Sequence, residues 1–254
     1  MKRIISLMLA VIMTILTISN NIYAAAENND YTIQNISELE AAIKEANQDG
    51  NISEIEKQNI LNNTSDELKV AYVLSLQDKI ENIIENTEIP VTCNTNNVDD
   101  ERIASNKYKI NDAVDVELEI CDEAENITRG TTVTQGGGPK DLGNKKTTGT
   151  YKFTLFGATI IQLKLTLGYT VYKTYMSTRY ASTSKSISVG SITSSTKITD
   201  SKAAAVGHDM NCTGTYNINV AGYASMELEL TLQVKWDHNI DSDTKYITYK
   251  LAVI

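Results

Sequence analysis

The chain has 254 residues, of which 41% are hydrophobic and 22% charged, so it can bury a core and is not a disordered chain. Its net charge of −9 is unevenly distributed: residues 27–130 hold 24 acids and 8 bases, and residues 131–254 hold 8 acids and 13 bases. For a chain of this net charge we expect no nucleic-acid partner. A disulfide scaffold is excluded, because only one pair can form among Cys93, Cys121 and Cys212.

Residues 1–26 have the pattern of a secretory signal peptide. Lys2 and Arg3 precede an apolar run over residues 4–18, and three alanines follow at a position where a signal peptidase can cut. The run is shorter than the roughly 20 apolar residues that span a bilayer. We therefore expect cleavage near Ala25 or Glu27 and a secreted, extracellular protein.

An acidic helical segment is predicted over residues 27–104. Three helix starts are indicated by capping boxes, in which a Ser or Thr side chain caps the helix and a Glu reaches back to it. The pairs are Ser37 with Glu40, Ser53 with Glu56, and Thr64 with Glu67. The first helix is expected to end near Asn47, and the third to run from Ser65 to about Asn86, before Pro90.

The third helix has an apolar stripe that predicts how the segment packs. Its members, spaced three and four residues apart, are Leu76, Ile80, Ile83 and Ile84. In water they would forgo several kcal/mol of burial, at about 25 cal/mol per Å². We therefore expect the helical segment to dock on the rest of the chain.

The turn between the first two helices has two interpretations. Its oxygen-bearing side chains fall near the positions of a twelve-residue calcium loop, with Gly50 at the sixth place. The metal candidates are Glu45, Asn47, Asp49, Asn51, Ser53 and Glu56. Glu45 departs from the pattern, which has Asp at the first position. Helix capping by Gly50 and Ser53 explains the same residues without calcium or any other cofactor.

From Tyr108 onward the hydrophobic period changes from helical to two, which predicts strands. Apolar residues alternate with polar ones over residues 114–120, 151–155, 161–171, 216–220, 226–236 and 247–253. Strands with one apolar and one polar face pack as two antiparallel sheets. The predicted fold class is therefore α+β: the helical segment precedes an antiparallel β-sandwich domain over residues 105–254, of immunoglobulin-like architecture.

A basic Gly-rich loop is predicted over residues 131–150. Gly136, Gly137 and Gly138 precede Pro139, and two lysines follow. The segment is either a long loop within the sandwich or an inter-domain linker. We favour the loop, because a predicted strand already precedes it.

Residues 174–201 are dense in Ser and Thr, with Ile187, Val189, Ile192 and Ile198 spaced through them. The segment resembles the membrane-inserting hairpins of aerolysin-like β-pore-forming toxins, and membrane contact is implied only by that resemblance. Its alternation breaks at Gly190, which favours the other interpretation: a pair of edge strands or a surface loop.

The sequence does not nominate catalytic residues. The only histidines are His208 and His238, and Asp237 beside His238 falls where a strand runs out into a polar turn. The order of signal peptide, helical hairpin and sandwich resembles that of uncharacterised exported proteins of Gram-positive bacteria, which implies an extracellular protein without known catalysis. We therefore expect a non-enzymatic protein that binds an extracellular partner, which is a protein, a glycan or a cell-wall component. Its candidate binding loops are residues 136–146 and 174–201.

Overall fold

A computed structural model describes residues 32–86, 102–122 and 135–253. The chain divides into a unit over Met1–Ile33, nearly all of it outside the described residues, and a compact unit over Gln34–Ile254. The predicted signal peptide, Pro90 and Cys93 lie outside the described residues. The second unit contains four helices and two antiparallel sheets among its described residues.

Four helices form the first part of this unit. They are α1 (Ile36–Ala46), α2 (Glu54–Asn62), α3 (Asp66–Ser75) and α4 (Gln77–Asn86). The capping box predicted at Ser53 and Glu56 is confirmed: Ser53 Oγ accepts from Glu56 N at 3.3 Å, and Glu56 Oε2 accepts from Ser53 N at 2.8 Å. These two bonds satisfy amides that the helix itself leaves without acceptors.

The other two predicted caps are each displaced. Helix α1 is capped by Asn35, whose Oδ1 accepts from Glu38 N at 3.0 Å, so Ser37 falls inside the first turn. Helix α3 is capped by Ser65, while Thr64 Oγ1 donates to the Ile60 carbonyl at 2.6 Å. In both cases a neighbouring residue with a short polar side chain takes the position.

The prediction of one helix from Ser65 to Asn86 is wrong, because the chain turns at Leu76. The Leu76 amide bonds to the Val73 carbonyl at 3.2 Å, three residues back, which tightens the end of α3. The Leu76 carbonyl then accepts from Ile80 N at 2.9 Å and starts α4. The helix is thus interrupted at Leu76, and both α3 and α4 bury apolar side chains.

Eleven strands follow among the described residues. They are β1 (Arg102–Lys109), β2 (Val114–Asp122), β3 (Gln135–Asp141), β4 (Gly143–Leu155), β5 (Ala158–Val171), β6 (Met176–Ile187), β7 (Ser191–Asp200), β8 (Lys202–Ala203), β9 (Asp209–Val220), β10 (Ala224–Asn239) and β11 (Thr244–Val253). They form a six-stranded sheet in the order β1-β2-β4-β5-β6-β8 and a five-stranded sheet in the order β3-β11-β10-β9-β7. Every described pairing is antiparallel.

The two sheets pack in a β-sandwich-like fold, because each buries one apolar face against the other. Contacts place β2 over β11, β4 and β5 over β10, and β6 over β7 and β9. The alternating residues predicted on β5 and β10 are the core, as the inward side chains of both strands are buried. Tyr216 spans the sheets: its hydroxyl donates to the Lys164 carbonyl of the six-stranded sheet.

The Gly-rich loop predicted over residues 131–150 is wrong for the part that the structure describes. Residues 135–141 form β3, an edge strand paired with β11, and β4 begins at Gly143. Glycine is required for this close pairing, because a Cβ on Gly137 would lie 2.6 Å from the Ile247 carbonyl oxygen. Pro139 is tolerated because an edge strand leaves one side without a sheet partner.

Helix α3 closes one end of the sandwich. It contacts β4 and β5 of one sheet and β9 and β10 of the other, and its residues 70–74 are all buried. Tyr72 Oη accepts from Asn111 Nδ2 at 2.9 Å, which ties α3 to the β1–β2 turn. Ile80 on α4 is also fully buried. The predicted docking of the helical segment is therefore confirmed.

Candidate functional site

The end of the sandwich opposite α3 is built from four connections, which we name the loop end. They are residues 141–143, 172–175, 200–208 and 239–244. The register of both sheets places them together, because β4 begins beside the end of β5, and β11 begins beside the end of β10. Lys245 Nζ donates to the Lys173 carbonyl at 2.8 Å, which joins the connection of one sheet to a strand of the other.

The loop end carries exposed apolar side chains. Of the eight large hydrophobic side chains that are exposed among the described residues, four lie on these connections. They are Leu142 (37% exposed), Tyr172 (43%), Val206 (48%) and Ile240 (49%). Single exposed apolar residues are ordinary, but several on adjoining loops indicate an interaction surface.

A stacked pair of tyrosines lies on this surface. The Tyr172 and Tyr175 rings stack with centroids 4.4 Å apart and planes 24° apart. Lys202 Nζ lies 4.4 Å from the centroid of the Tyr175 ring, in cation–π contact. Paired rings hold each other's orientation, so they present a flat apolar surface to a partner at little further cost in side-chain entropy.

Trp236 and Lys245 support the loop end from beneath. Both side chains are buried, and Lys245 Nζ lies 3.6 Å above the Trp236 ring. Burial lowers the pKa of Lys245, because the charged ammonium loses hydration. Its bond to the Lys173 carbonyl and its contact with Trp236 partly replace that hydration, and they fix the position of the residue 172–175 connection.

The two binding loops predicted from the sequence reach this surface only in part. Of residues 136–146, only the turn around Leu142 belongs to the loop end, because the rest lies in β3 and β4. Of residues 174–201, only the first two, which include Tyr175, lie on the 172–175 connection, and most of the others form β6 and β7. The segment is therefore built of strands and not of a surface loop, and β7 lies at the edge of its sheet.

The tyrosine pair was not predicted from the sequence. A signal was present: the chain has 13 tyrosines against two phenylalanines and one tryptophan, and four of them fall at positions 169, 172, 175 and 180. Tyrosine combines a large apolar ring with a polar tip and is common at interfaces. The period-two pattern hid this signal, because Tyr169 is a core residue while Tyr172 lies past the end of the strand.

Asp237 and His238 lie at the exposed end of β10. His238 Nδ1 lies 2.9 Å from Asp237 Oδ2, and its ring stacks on Tyr246 with centroids 4.8 Å apart. Both side chains are about half exposed. They border the loop end, where the stack of His238 on Tyr246 is a second aromatic pair beside Tyr172 and Tyr175.

The candidate calcium residues have other partners in the structure. Asn47 Nδ2 donates to Asp112 Oδ2 at 2.5 Å, and Asp49 Oδ1 accepts from Asn51 N at 3.2 Å. Ser53 and Glu56 bond to each other in the capping box, and Glu45 lies in the last turn of α1. Within the described ranges, no group of three or more His, Cys, Asp or Glu side chains is arranged to hold a metal ion. The calcium site stays a prediction.

Cys212 is a buried free thiol on β9. Burial raises its pKa to about 12, which leaves almost no thiolate at neutral pH. Cys121 lies half-buried on β2 in the other sheet.

Comparisons with known proteins do not add a relative: no family model, curated protein or solved structure matches the chain. No helix in the described parts of the chain is both long and apolar enough to cross a membrane.

Proposed function

We propose that the chain is a secreted, non-enzymatic interaction protein that binds an extracellular partner through the loop end. The observation that carries this proposal is the grouping of Leu142, Tyr172, Val206 and Ile240 on adjoining connections at one end of the sandwich. The partner is a protein, a glycan or a cell-wall polymer. The signal-peptide pattern of residues 1–26 supports secretion.

The architecture supports recognition by loops. Two packed sheets give a rigid frame, and we propose that this frame is immunoglobulin-like in the sense that its end loops carry the binding residues. Helix α3 contacts strands of both sheets at the opposite end, so among the described residues the loop end is the end of the sandwich without a helix packed on it. The buried Trp236 and Lys245 hold the loops in place before binding, which lowers the entropic cost of association.

The chemistry of the described residues favours binding over catalysis. The Cys212 thiol is buried, and its raised pKa keeps it protonated at neutral pH. Asp237 and His238 form a pair on the surface, and neither Ser nor Thr bonds to that histidine among the described contacts. A hydrolytic activity of the purified protein in a substrate panel would contradict the proposal.

The test is binding of the mature protein to cell-wall preparations and host-cell surfaces. Tyr172→Ser and Ile240→Ser should each weaken binding about tenfold, or about 1.4 kcal/mol. Tyr223→Ser is the matched control, because Tyr223 is 50% exposed on the β9–β10 turn at the opposite end. Equal effects of the control and the loop-end variants would show that the loop end is not the binding surface.

A second candidate function is membrane insertion by residues 174–201, by analogy with pore-forming toxins. The favouring observation is that β6 and β7 meet through hydroxyl groups: Thr183 Oγ1 lies 2.9 Å from Ser194 Oγ. Separating β6 from β7 exposes little apolar surface, so the contact between these two strands is weaker than an apolar contact of the same area. Against this, β6 and β7 each pair along their length with a neighbouring strand, and those ladders must break.

Dye release from liposomes tests this candidate. Thr166 and Ser182 are directly opposite on β5 and β6, so cysteines at both positions should form a disulfide that holds β6 in place. Insertion predicts that the double variant Thr166→Cys, Ser182→Cys loses dye release and regains it on reduction. A wild-type protein that remains monomeric and leaves liposomes intact would remove this candidate.

A further inference from the structure

Strand β7 is an open edge of the five-stranded sheet. In the described part of the chain it pairs only with β9, on one side. Eight of its ten residues are exposed, all except Ile192 and Ser194. The amide and carbonyl groups on its outer side have no paired strand in the described part of the chain, which is the geometry that accepts an added strand.

Strand β7 lacks the protection found at other edges of the two sheets. Strand β3 contains Pro139, which lacks an amide donor, and the two-residue β8 covers only Met176 and Ser177 of β6, so the rest of β6, which lies beside β7, is a second uncovered edge among the described residues. Strand β1 holds three cationic residues within eight positions. Proteins use such short strands, prolines and charges to prevent edge pairing. Strand β7 has no proline, one lysine and a register shift only near its end, between Ile198 and Asp200.

The charges around this edge are mostly positive. Strands β6 and β7 carry Arg179, Lys185 and Lys197, all exposed, against a single acid, Asp200. The Asp200 carboxylate already accepts from Asn211 Nδ2 at 2.9 Å. Lys185 Nζ donates to Ser194 Oγ at 3.0 Å, which places a second cation beside the middle of β7. The remaining side chains of β7 are mainly Ser and Thr, which are too small to shield the backbone.

We propose that β7 binds an extended acidic peptide, which adds to the five-stranded sheet as a sixth strand. Backbone hydrogen bonds along β7 would supply affinity, and Lys197 and Lys185 would select carboxylate side chains. A second copy of the chain fits this edge less well. In antiparallel self-pairing centred on Thr196, the two copies of Lys197 become diagonal neighbours on one face, and like charges so placed destabilise the pair.

The first experiment uses a labelled decapeptide of alternating Glu and Thr, with a Lys and Thr peptide as its counterpart. The mature protein should bind the acidic peptide in fluorescence anisotropy and not the basic one. Lys197→Glu should weaken binding at least about tenfold, or about 1.4 kcal/mol. Lys250→Glu, an equal charge change on the exposed face of β11, should leave binding within about twofold. Equal losses in both variants would reduce the effect to net charge and overturn strand addition.

The second experiment tests backbone pairing itself. Successive backbone amides of a strand point to opposite sides of it. One of the two variants Ser195→Pro and Thr196→Pro therefore removes an amide that bonds to β9, and the other removes an amide at the free edge. We expect one variant to have a lowered Tm, and the other to keep its Tm but bind the acidic peptide at least about tenfold more weakly. Normal binding by the variant that keeps its Tm would overturn the proposal.

Sedimentation of the protein without peptide tests whether a second copy of the chain, and not a peptide, occupies β7. A dimer that the neutral variant Lys197→Thr strengthens, and that the acidic peptide does not dissociate, would show that a second copy occupies β7 and would overturn the peptide proposal. A monomer that binds the acidic peptide supports it. None of these outcomes depends on Tyr172 or on the loop end, so this proposal and the proposed function can fail separately.

Discussion

Shortening Ile80 to alanine tests whether the helices and the sheets unfold together. The Ile80 side chain is completely buried on α4, so the substitution removes apolar contacts and leaves a cavity. Buried isoleucine-to-alanine changes cost about 2–5 kcal/mol. We expect a loss of about 3 kcal/mol in the free energy of unfolding, and a Tm about 6–12 °C lower at about 2–4 °C per kcal/mol.

Ile55→Ala is the control, since Ile55 lies on α2 with 70% of its surface exposed and should change stability by less than about 0.5 kcal/mol. Thermal unfolding is followed by far-UV circular dichroism for the helices and by near-UV signals for the packed tyrosines. The two signals should change together and at a lower temperature in Ile80→Ala. The reasoning is refuted if both variants melt alike, or if the helical signal is lost first while the tyrosine signal keeps its wild-type midpoint.

Three further predictions concern single side chains. Tyr216→Phe should lose about 1 kcal/mol of the free energy of unfolding in urea melts, because it removes the hydrogen bond between the two sheets. In a variant with its other two cysteines changed to serine, Cys212 should react with a thiol reagent only after denaturation, and rapid labelling in native buffer would contradict its burial. Ser53→Ala should lower the Tm at neutral pH by removing a helix cap, and millimolar calcium should not change the wild-type Tm. The hydrogen bonds from Ser53 lower the pKa of Glu56, so the stabilisation is present above the usual carboxyl pKa, and the Tm difference should shrink as pH falls through the lowered value.

Strands with one buried face and one solvent-facing face could be predicted from the sequence. On β5 and β10 the inward residues meet the opposite sheet and the outward ones meet water, so hydrophobicity alternates strictly and the strands are recognisable. Strand β3 could not be recognised in this way, because Gly136, Gly137 and Gly138 have no side chains to alternate. Its pairing depends on the approach of β11, more than 100 residues later in the chain, which local composition does not encode.

The helix ends show a similar limit at a smaller scale. The box at Ser53 and Glu56 was predicted because both of its partners are local. At the other two starts several short polar residues compete, and Asn35 and Ser65 took the positions expected for Ser37 and Thr64. The turn at Leu76 escaped prediction because the residues around it continue a helical pattern, and contact with the sheets decides where the helix ends.

The placement of α3 explains why the functional surface was harder to predict than the fold. One end of the sandwich is closed by a helix whose consecutive residues 70–74 are all buried, so this part of its sequence shows core packing and no alternation of buried and exposed positions. At the other end, the tyrosine pair precedes β6 in the chain and Lys202 follows β7. Only the pairing of the strands brings these side chains together. Periodicity therefore identifies the strands that form the frame, whereas the residues proposed to bind lie where the periodicity stops. The edge of β7 is an exception, because its Ser and Thr content is visible in the sequence and only its missing neighbour had to be learned from the sheet order.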